Sequence, residues 1–535
     1  EYNKMKLIFR QDLNIATIKS ESSWNRMVVH SLLQNCNAKQ PAINAYLGAR
    51  YSRSSDSILD IASEVINTGT DASERLEKIF AGYGHKSVGD MAELFVCIEN
   101  IPIITGMKFF YINPVIAGQE RSTRYQDFSD PNFIKIPNEV CSKQEIRKEY
   151  EKIIFKQLSD YKRLLKSTKE QLSKYFKINE ESSQEVASLK ARSFDVARYL
   201  LPVGLSTSDA LVLSARAWSD FIGYLFGGDS IVDNEIADLV LNLLGESDLD
   251  ARGYIREADN LIRHTESNSS RRNSTREVLD YLKKNLDRKQ IPTFPDSESS
   301  SIKVSYSPDL TECLLTHYEA LLNPLGSIKE YSFDQEDQEF IGEVLSEHHN
   351  QHRTVGNIAQ SGAVKIEGFA TLGTLKDLNR HRSLERFIPI LHDEIDMDQE
   401  LARREEDCFF LCNYLDIPQL KILKKEYQDT LVETYSMIKS WREKAKEVLS
   451  EEVCNEYTKY LLPHAHATKY IMYGSYDDLQ YVINLRSRNG GHIAYRVLVY
   501  EWLKNLNMKD PIWNSLLKRI QSPKIDSKIE FVDRS

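Results

Sequence analysis

The tetrapeptide YLLP stands at 199–202 and again at 460–463, 261 residues apart. Reading outward from it, GHKSVGD (84–90) has a partner in QHRTVGN (351–357), 267 residues on, and both fit x-H-basic-[ST]-V-G-[DN]. Next, FVCIENIPIITGMKFF (95–110) matches VKIEGFATLGTLKDLN (364–379), with Lys108 and Lys376 separated by 268. Three islands keep their order and nearly their offset. A solenoid would repeat every few tens of residues, so this is a tandem duplication of one domain of roughly 230 residues. The implied organisation is a first half over 1–250, a helical linker over 251–304 and a second half over 305–535. The linker reads as charged helix (ARGYIREADNLIRH, then STREVLDYLKKNLDRK) followed by the aperiodic IPTFPDSESSSIK. The basic run SSRRNSTRE (269–277) reads as a solvated face.

A chain of 535 residues exceeds what one core organises, in agreement with the repeat. With 28% charged and 41% hydrophobic residues it reads as soluble and globular. A net charge of −10 disfavours nucleic acid and anionic membranes as partners, so an anionic ligand needs a local Arg or Lys cluster. No apolar run approaches a membrane span. The N-terminus, EYNKMKLIFRQDLN, has no initiator Met and no secretory apolar core. Seven scattered cysteines suit a reducing, cytoplasmic setting. Cys408 and Cys412, beside Phe409 and Phe410, read as one face of a core helix rather than as a metal site.

AVKIEG alternates as a strand does, and Phe369, Leu372, Leu375 and Leu378 then follow at the spacing of one helix face, leading into Arg380-His381-Arg382. The same pattern precedes Ile112-Asn113-Pro114. After each YLLP, Leu211, Ala215, Trp218 and Ile222, or Tyr476, Leu479 and Ile483, have helical spacing. The fold class is α+β with helix exceeding strand. Two clusters carry candidate chemistry. GQERSTRYQDF (118–128) sets Glu120, Ser122 and Arg124 at alternate positions, on one side of an extended segment. Arg and Ser suit a phosphate and Glu a ribose hydroxyl, although an ordinary polar loop reads the same way. NRHRSLERF (379–387) places cationic residues at a helix C-terminus, where the dipole favours them in any case.

Together these residues resemble the flavin-dependent thymidylate synthases. That family's signature is R-H-R, seven residues, then S, in a loop reading N-E-x-S-x-R-Y. This chain divides the signature between its halves. The RHR slot of the first half holds Ile112-Asn113-Pro114, and the Glu, Ser and Arg slots of the second hold Ile388, Ile390 and His392. The family's R-x-x-L-P, then N-A-R, then L-R is divided likewise. The first half has Arg198, Leu201-Pro202 and Ser214-Ala215-Arg216, but Tyr224-Leu225 in the L-R slot; the second has Lys459 and Ser475-Tyr476-Asp477, but keeps Leu485-Arg486.

The resemblance implies two tandem synthase-like domains, each a mixed sheet with long helices, forming a pseudo-dimer with one whole hybrid site. It implies that Glu120, Arg121, Ser122, Thr123, Arg124, Arg198, Asp377 and Arg380 bind deoxyuridine monophosphate, and that Arg486 polarises the pyrimidine. Arg380, His381 and Arg382 would hold FAD, helped by His352 and Thr354, with His85, Ser87 and Arg216 adding contacts. NADPH as reductant, methylenetetrahydrofolate as carbon donor, no metal, and a homodimer giving a pseudo-tetramer complete the expectation. The chain departs from the family at Asp377, Asn379, Ser214 and Asp220, where Gln, an apolar residue, Asn and another polar residue are usual. Three rivals stand beside this reading. One is a non-catalytic or substrate-shifted paralogue binding flavin or a pyrimidine nucleotide. Another is a metal enzyme on EHHNQHR (347–353), which lacks the zincin Glu. The last is RNA binding, which the acidic charge disfavours.

Overall fold

ELFVCIENIP and VKIEGFAT largely alternate buried and half-buried side chains, and each forms a central antiparallel strand of a sheet. The computed structural model describes residues 5–13, 15–20, 27–32, 40–67, 75–76, 86–112, 117–123, 128, 143–245, 261–267, 269–285, 294–306, 334–348 and 362–533. Of the candidate residues, His85, Asn113, Arg124, His352 and Thr354 lie outside these, as does the side chain of Ser87.

The first sheet has the order β1-β2-β3-β4-β6-β5, formed by Met5–Arg10, Ile15–Ser20, Val28–Leu32, Glu93–Pro102, Ser206–Ser214 (β6) and Ala117–Glu120 (β5). The second has the order β7-β8-β10-β9, formed by Lys303–Tyr306, Val364–Thr371, Ala467–Gly474 (β10) and Glu385–Phe387 (β9). The arrangement β3-β4-β6-β5 is therefore repeated as β7-β8-β10-β9. Registers coincide as well: Pro102 opposes Ser206 as Thr371 opposes Ala467, and Gln119 opposes Ala210 as Phe387 opposes Ile471. The mixed sheet implied by the resemblance is corrected, because every described pairing is antiparallel. The connection between β4 and β6 brings the chain back to the end it left, where Ile103 and Ile104 donate to the carbonyls of Leu205 and Val203.

Helices follow the central strands in both halves: Ile103–Ile112 after β4, Leu372–Leu378 after β8, Ala215–Phe226 after β6 and Tyr476–Arg486 after β10. Ser214 and Ser475 cap the last two by accepting from the N–H of Ala217 and Asp478, the use of Ser that leaves one fewer orphan donor. Leu211 and Phe369, read as helical, lie on β6 and β8; their apolar neighbours belong to the helices that begin a few residues later. Cys408 and Cys412 are in the core but not on a helix, since Phe409 bridges to His466 and pulls that segment out straight. Within the proposed linker, Ser269–Asn285 is a helix, whereas 261–267 is not.

The two YLLP segments cross. Pro202 opposes Pro463 in an antiparallel bridge. Val203 N–H donates to Leu462 at 2.8 Å and His464 N–H to Leu201 at 2.9 Å. Gly204 donates to Tyr460 at 2.9 Å, and its repeat counterpart Ala465 donates to Tyr199 at 3.0 Å. Each bond thus has a counterpart with the halves exchanged. Around the crossing, the long helices Gln144–Phe176 and Lys421–Lys446 pack together, with Trp441 Nε1 donating to Ile146 and its ring 5.0 Å from Tyr150.

A Cβ on Gly204 would lie 2.7 Å from the Tyr460 carbonyl oxygen and 3.1 Å from its carbon. Backbone at that distance has no rotamer by which to yield. Gly204→Ala should therefore lower the unfolding free energy by roughly 1–3 kcal/mol, read as a shifted urea midpoint. An unshifted midpoint would mean that the crossing is not tightly packed.

Candidate functional site

The helix Leu372–Leu378 presents the residues that lead into Arg380-His381-Arg382, and its start is fixed from three sides. Thr371 caps it, accepting from Thr374 N–H. Leu372 and Gly373 donate to the carbonyls of His466 and His464 in the second YLLP segment, both at 2.9 Å. Glu298 accepts from the Thr371 N–H at 2.8 Å and from the Thr374 hydroxyl at 3.4 Å. The helix end is tied to the first half, where Asn379 Nδ2 donates to Met107 at 2.7 Å and Arg386 donates to Phe110 at 3.2 Å. The polar residue at 379 is thus a strut between the halves.

Against this helix lies the end of β5. Glu120, buried, pairs with the buried Lys376. Arg198, 1% exposed, donates to Thr123 Oγ1 at 3.0 Å, to the Gly373 carbonyl at 3.1 Å and to an Asp377 carboxylate oxygen at 3.0 Å. Arg380 donates to Gln119 at 3.2 Å, and its guanidinium lies 5.7 Å from the Phe110 ring centre. Ser122 is half-buried, while Arg121 and Arg382 are exposed. Residues from both halves therefore meet at one place.

Arg486 completes the cluster. Its Nε donates to His381 Nε2 at 2.6 Å, its Nη2 donates to the Asp377 carbonyl at 2.8 Å, and its guanidinium sits 5.0 Å from the Tyr495 ring centre. An arginine cannot accept, so Nε2 of His381 is the acceptor and its proton is on Nδ1. Burial, then the charges of Arg486, Arg386 and Arg380, hold His381 well below the usual histidine range, so it is neutral.

Asp209 was not legible as a site residue. It stands opposite Glu120 in the β5–β6 pairing, 1% exposed, and neither carboxyl oxygen has a hydrogen-bond partner among the described residues. Burial, then the charge of Glu120, pushes it well above the usual carboxylate range, so it is held protonated. Its signal was a lone carboxylate on the face of β6 that buries Leu211 and Leu213. Lys376 appeared only as a marker of the repeat. Four cations (Arg198, Lys376, Arg380 and Arg486) then face the two carboxylates of Glu120 and Asp377. The excess positive charge suits an anionic ligand.

The counterpart position in the repeat has other chemistry. There Lys108 pairs with Asp233 and Asp393, and Lys459 donates to the His392 carbonyl at 2.6 Å. Burial would pull Lys108 down, yet the two aspartates outweigh it and hold it above the usual lysine value. Lys108 and Lys459 hold Asp393 at about 2 against its own burial. A cavity of about 460 Å³ opens here, lined by Thr105, Lys108, Asp233, Asp393, Lys459 and Tyr460 among others. Ile388 and Ile390, in the Glu and Ser slots, are fully buried.

Arg216 is not brought to the cluster. It pairs with Asp90 at 3.0 Å, beyond the far end of β6 from Asp209, which at strand rise is about 17 Å away along the strand. The described cysteines 97, 408, 412 and 454 are all free, and burial raises every thiol, that of Cys408 to about 11.

Burial raises the Glu298 carboxyl to about 7 from 4.5. Between those values the folded chain keeps a proton that the unfolded chain releases, so stability falls as pH rises through this window. The change is of order 3 kcal/mol. Glu298→Gln should flatten that part of the profile in urea melts between pH 4.5 and 7; a profile as steep as that of the parent would contradict the assignment.

The family model described as "Thymidylate synthase complementing protein" matches the chain twice, over residues 31–246 and 301–512. The chain is also 20% identical over 486 residues to a UPF0159 protein of Chlamydia pneumoniae, a match covering 87% of this chain and 85% of the relative.

Proposed function

The chain belongs to the thymidylate synthase complementing protein family, present in two tandem copies, and from that premise we propose that it makes thymidylate at one hybrid site per chain. The reaction would be FAD-dependent reductive methylation of deoxyuridine monophosphate, with methylenetetrahydrofolate as carbon donor and NADPH as reductant. The observation that carries this reading is one set of contacts across the halves: Glu120 with Lys376, Arg198 with Asp377, and Arg380 with Gln119. The two halves would act as a pseudo-dimer, and the complementary motif pieces that neither half holds whole would then serve one site.

Glu120, Arg121, Ser122, Thr123, Arg124 and Arg198 would hold the nucleotide from the first half, and Asp377 and Arg380 from the second. The residues fit a flavin diphosphate in charge: Arg382 is exposed, Arg380 half-buried, and His381 is neutral with Nδ1–H as a donor. His352 and Thr354 would add to that cradle. Bound FAD, reduced by NADPH, would supply the redox chemistry. Arg486 would hold a fixed positive charge at N3 and O2 of the pyrimidine, stabilising the negative charge that develops as C5 becomes nucleophilic. Its orientation would be set in advance by Tyr495, His381 and the Asp377 carbonyl. No thiolate is required, in keeping with the raised thiols of the described cysteines. Arg216, at the far end of β6 from the cluster, would reach a flavin only in a second copy of the chain; with the family's assembly, this is the ground for proposing a homodimer, and His85 and Ser87 would add flavin contacts.

The test is anaerobic turnover of deoxyuridine monophosphate with FAD, NADPH and methylenetetrahydrofolate, following thymidylate by chromatography. Arg124→Ala and Arg486→Ala, in different halves, should each cut kcat/KM by at least about tenfold, as loss of a charge-assisted contact does. Asn113→Ala, in the empty RHR slot, should leave it nearly unchanged. Thymidylate formation that is indifferent to Arg486→Ala would sink the hybrid site. Flavin binding without any thymidylate would favour the second reading, a substrate-shifted or non-catalytic paralogue, for which the Asp377 carboxylate on Arg198 is the motivating observation.

A further inference from the structure

Arg198 is the most deeply buried cation of the cluster, and its guanidinium is already engaged. Thr123 and the Gly373 carbonyl take two of its N–H groups, and both are neutral partners within the fold. The third is the Asp377 carboxylate at 3.0 Å, the one charged partner of the three and the one facing solvent, with a side chain 20% exposed against 1% for Arg198. The contact is made by Nη2 to one carboxylate oxygen, and a phosphate oxygen accepts from a guanidinium N–H as a carboxylate oxygen does. Asp377 is therefore seated where an incoming phosphate would approach Arg198. Its backbone is held separately, because Arg486 donates to the Asp377 carbonyl. The side chain can be exchanged without unseating the second arginine. Among the described residues the arrangement occurs once: by the register in which Ile103 meets Leu205 as Leu372 meets His466, the counterparts of Asp377 and Arg198 are Lys108 and Lys459.

We propose that Asp377 sets which anion the site admits, holding Nη2 of Arg198 as a built-in counter-ion that the ligand's phosphate group must displace. The inference rests on the deoxyuridine monophosphate reading above for the ligand's identity. It goes beyond it in making residue 377 a specificity determinant. Entry of a phosphate dianion beside a retained carboxylate costs like-charge repulsion in a partly buried site. Neutralising residue 377 therefore strengthens phosphate binding, and a ligand without phosphate does not feel the change.

The experiment is calorimetric titration of the full chain, as parent and as Asp377→Asn, with deoxyuridine monophosphate, deoxyuridine and inorganic phosphate. Asp377→Asn should tighten both phosphate-bearing ligands about tenfold, the scale of one charge-assisted contact, and leave deoxyuridine within about threefold. Asp377→Glu keeps the charge and should stay at the parent level. If Asp377→Asn does not fold, Asp377→Gln takes its place. Tightening with inorganic phosphate alone, with no nucleotide bound by either protein, upholds the proposal and removes the nucleotide reading. Equal or weaker binding of deoxyuridine monophosphate by the neutral variant overturns the proposal and leaves the nucleotide reading standing. Failure of both proteins to bind any phosphate overturns both.

Discussion

Where Pro202 meets Pro463, two copies of the same tetrapeptide run antiparallel and exchange backbone hydrogen bonds, and the remaining architecture is organised about that crossing. Proline supplies no N–H, so the bonds come from the residues that follow it, Val203 and Gly204 on one strand and His464 and Ala465 on the other. The carbonyls of Val203 and Leu205, and of His464 and His466, then accept from the first N–H groups of the helices Ile103–Ile112 and Leu372–Leu378. These are donors that a helix start leaves unsatisfied. The crossing therefore fixes the N-terminus of both helices, and so the position of Lys108 in one and of Lys376 and Asp377 in the other. A contact that treats both halves alike ends by positioning residues that differ.

The difference is electrostatic. Two buried cations stand one position apart in the repeated helix, Lys376 with Glu120 and Lys108, in the register of Asp377, with Asp233 and Asp393. An unpaired buried charge is costly, so each lysine needs a local carboxylate wherever the loop around it has changed. On the Lys108 side two aspartates answer one lysine, and apolar Ile388 and Ile390 fill the loop. On the Lys376 side one glutamate answers it, and Asp209 stays neutral behind it. That leaves Arg198, Arg380 and Arg486 to set the sign of the site. The protein thus carries one cationic cluster and one acidic-walled cavity from a single duplicated framework.

Much of this was legible in the sequence because it rests on short-range regularities. The offset between the YLLP copies gave the repeat, and the alternation in AVKIEG gave β8. Leu211 and Phe369 were misread because a strand running straight into a helix puts apolar residues at spacings that suit either. The antiparallel character of the sheets was not legible, since it depends on where the long helical connection returns the chain. Candidate residues such as Arg380, His381 and Arg486 could be named only through the resemblance of their motifs to a known family's. Their contacts could not: the tautomer of His381 follows from the approach of Arg486 at 2.6 Å, and the pairing of Arg198 with Asp377 spans 179 positions. Asp209 and Glu298 escaped notice because an isolated carboxylate means little until its burial is known. Ser214, in a slot where the family has Asn, is explained by the fold, since either residue caps a helix.

The central claim is that one chain carries one working site assembled from both halves. The most direct measurement is the number of FAD molecules bound per chain at saturation, from the flavin absorbance of the purified protein against its peptide concentration. The account predicts one per 535-residue chain, lost in a His381→Ala variant. Two per chain would mean that each half carries its own site, and none would mean that the cationic cluster does not take a flavin; either would contradict it.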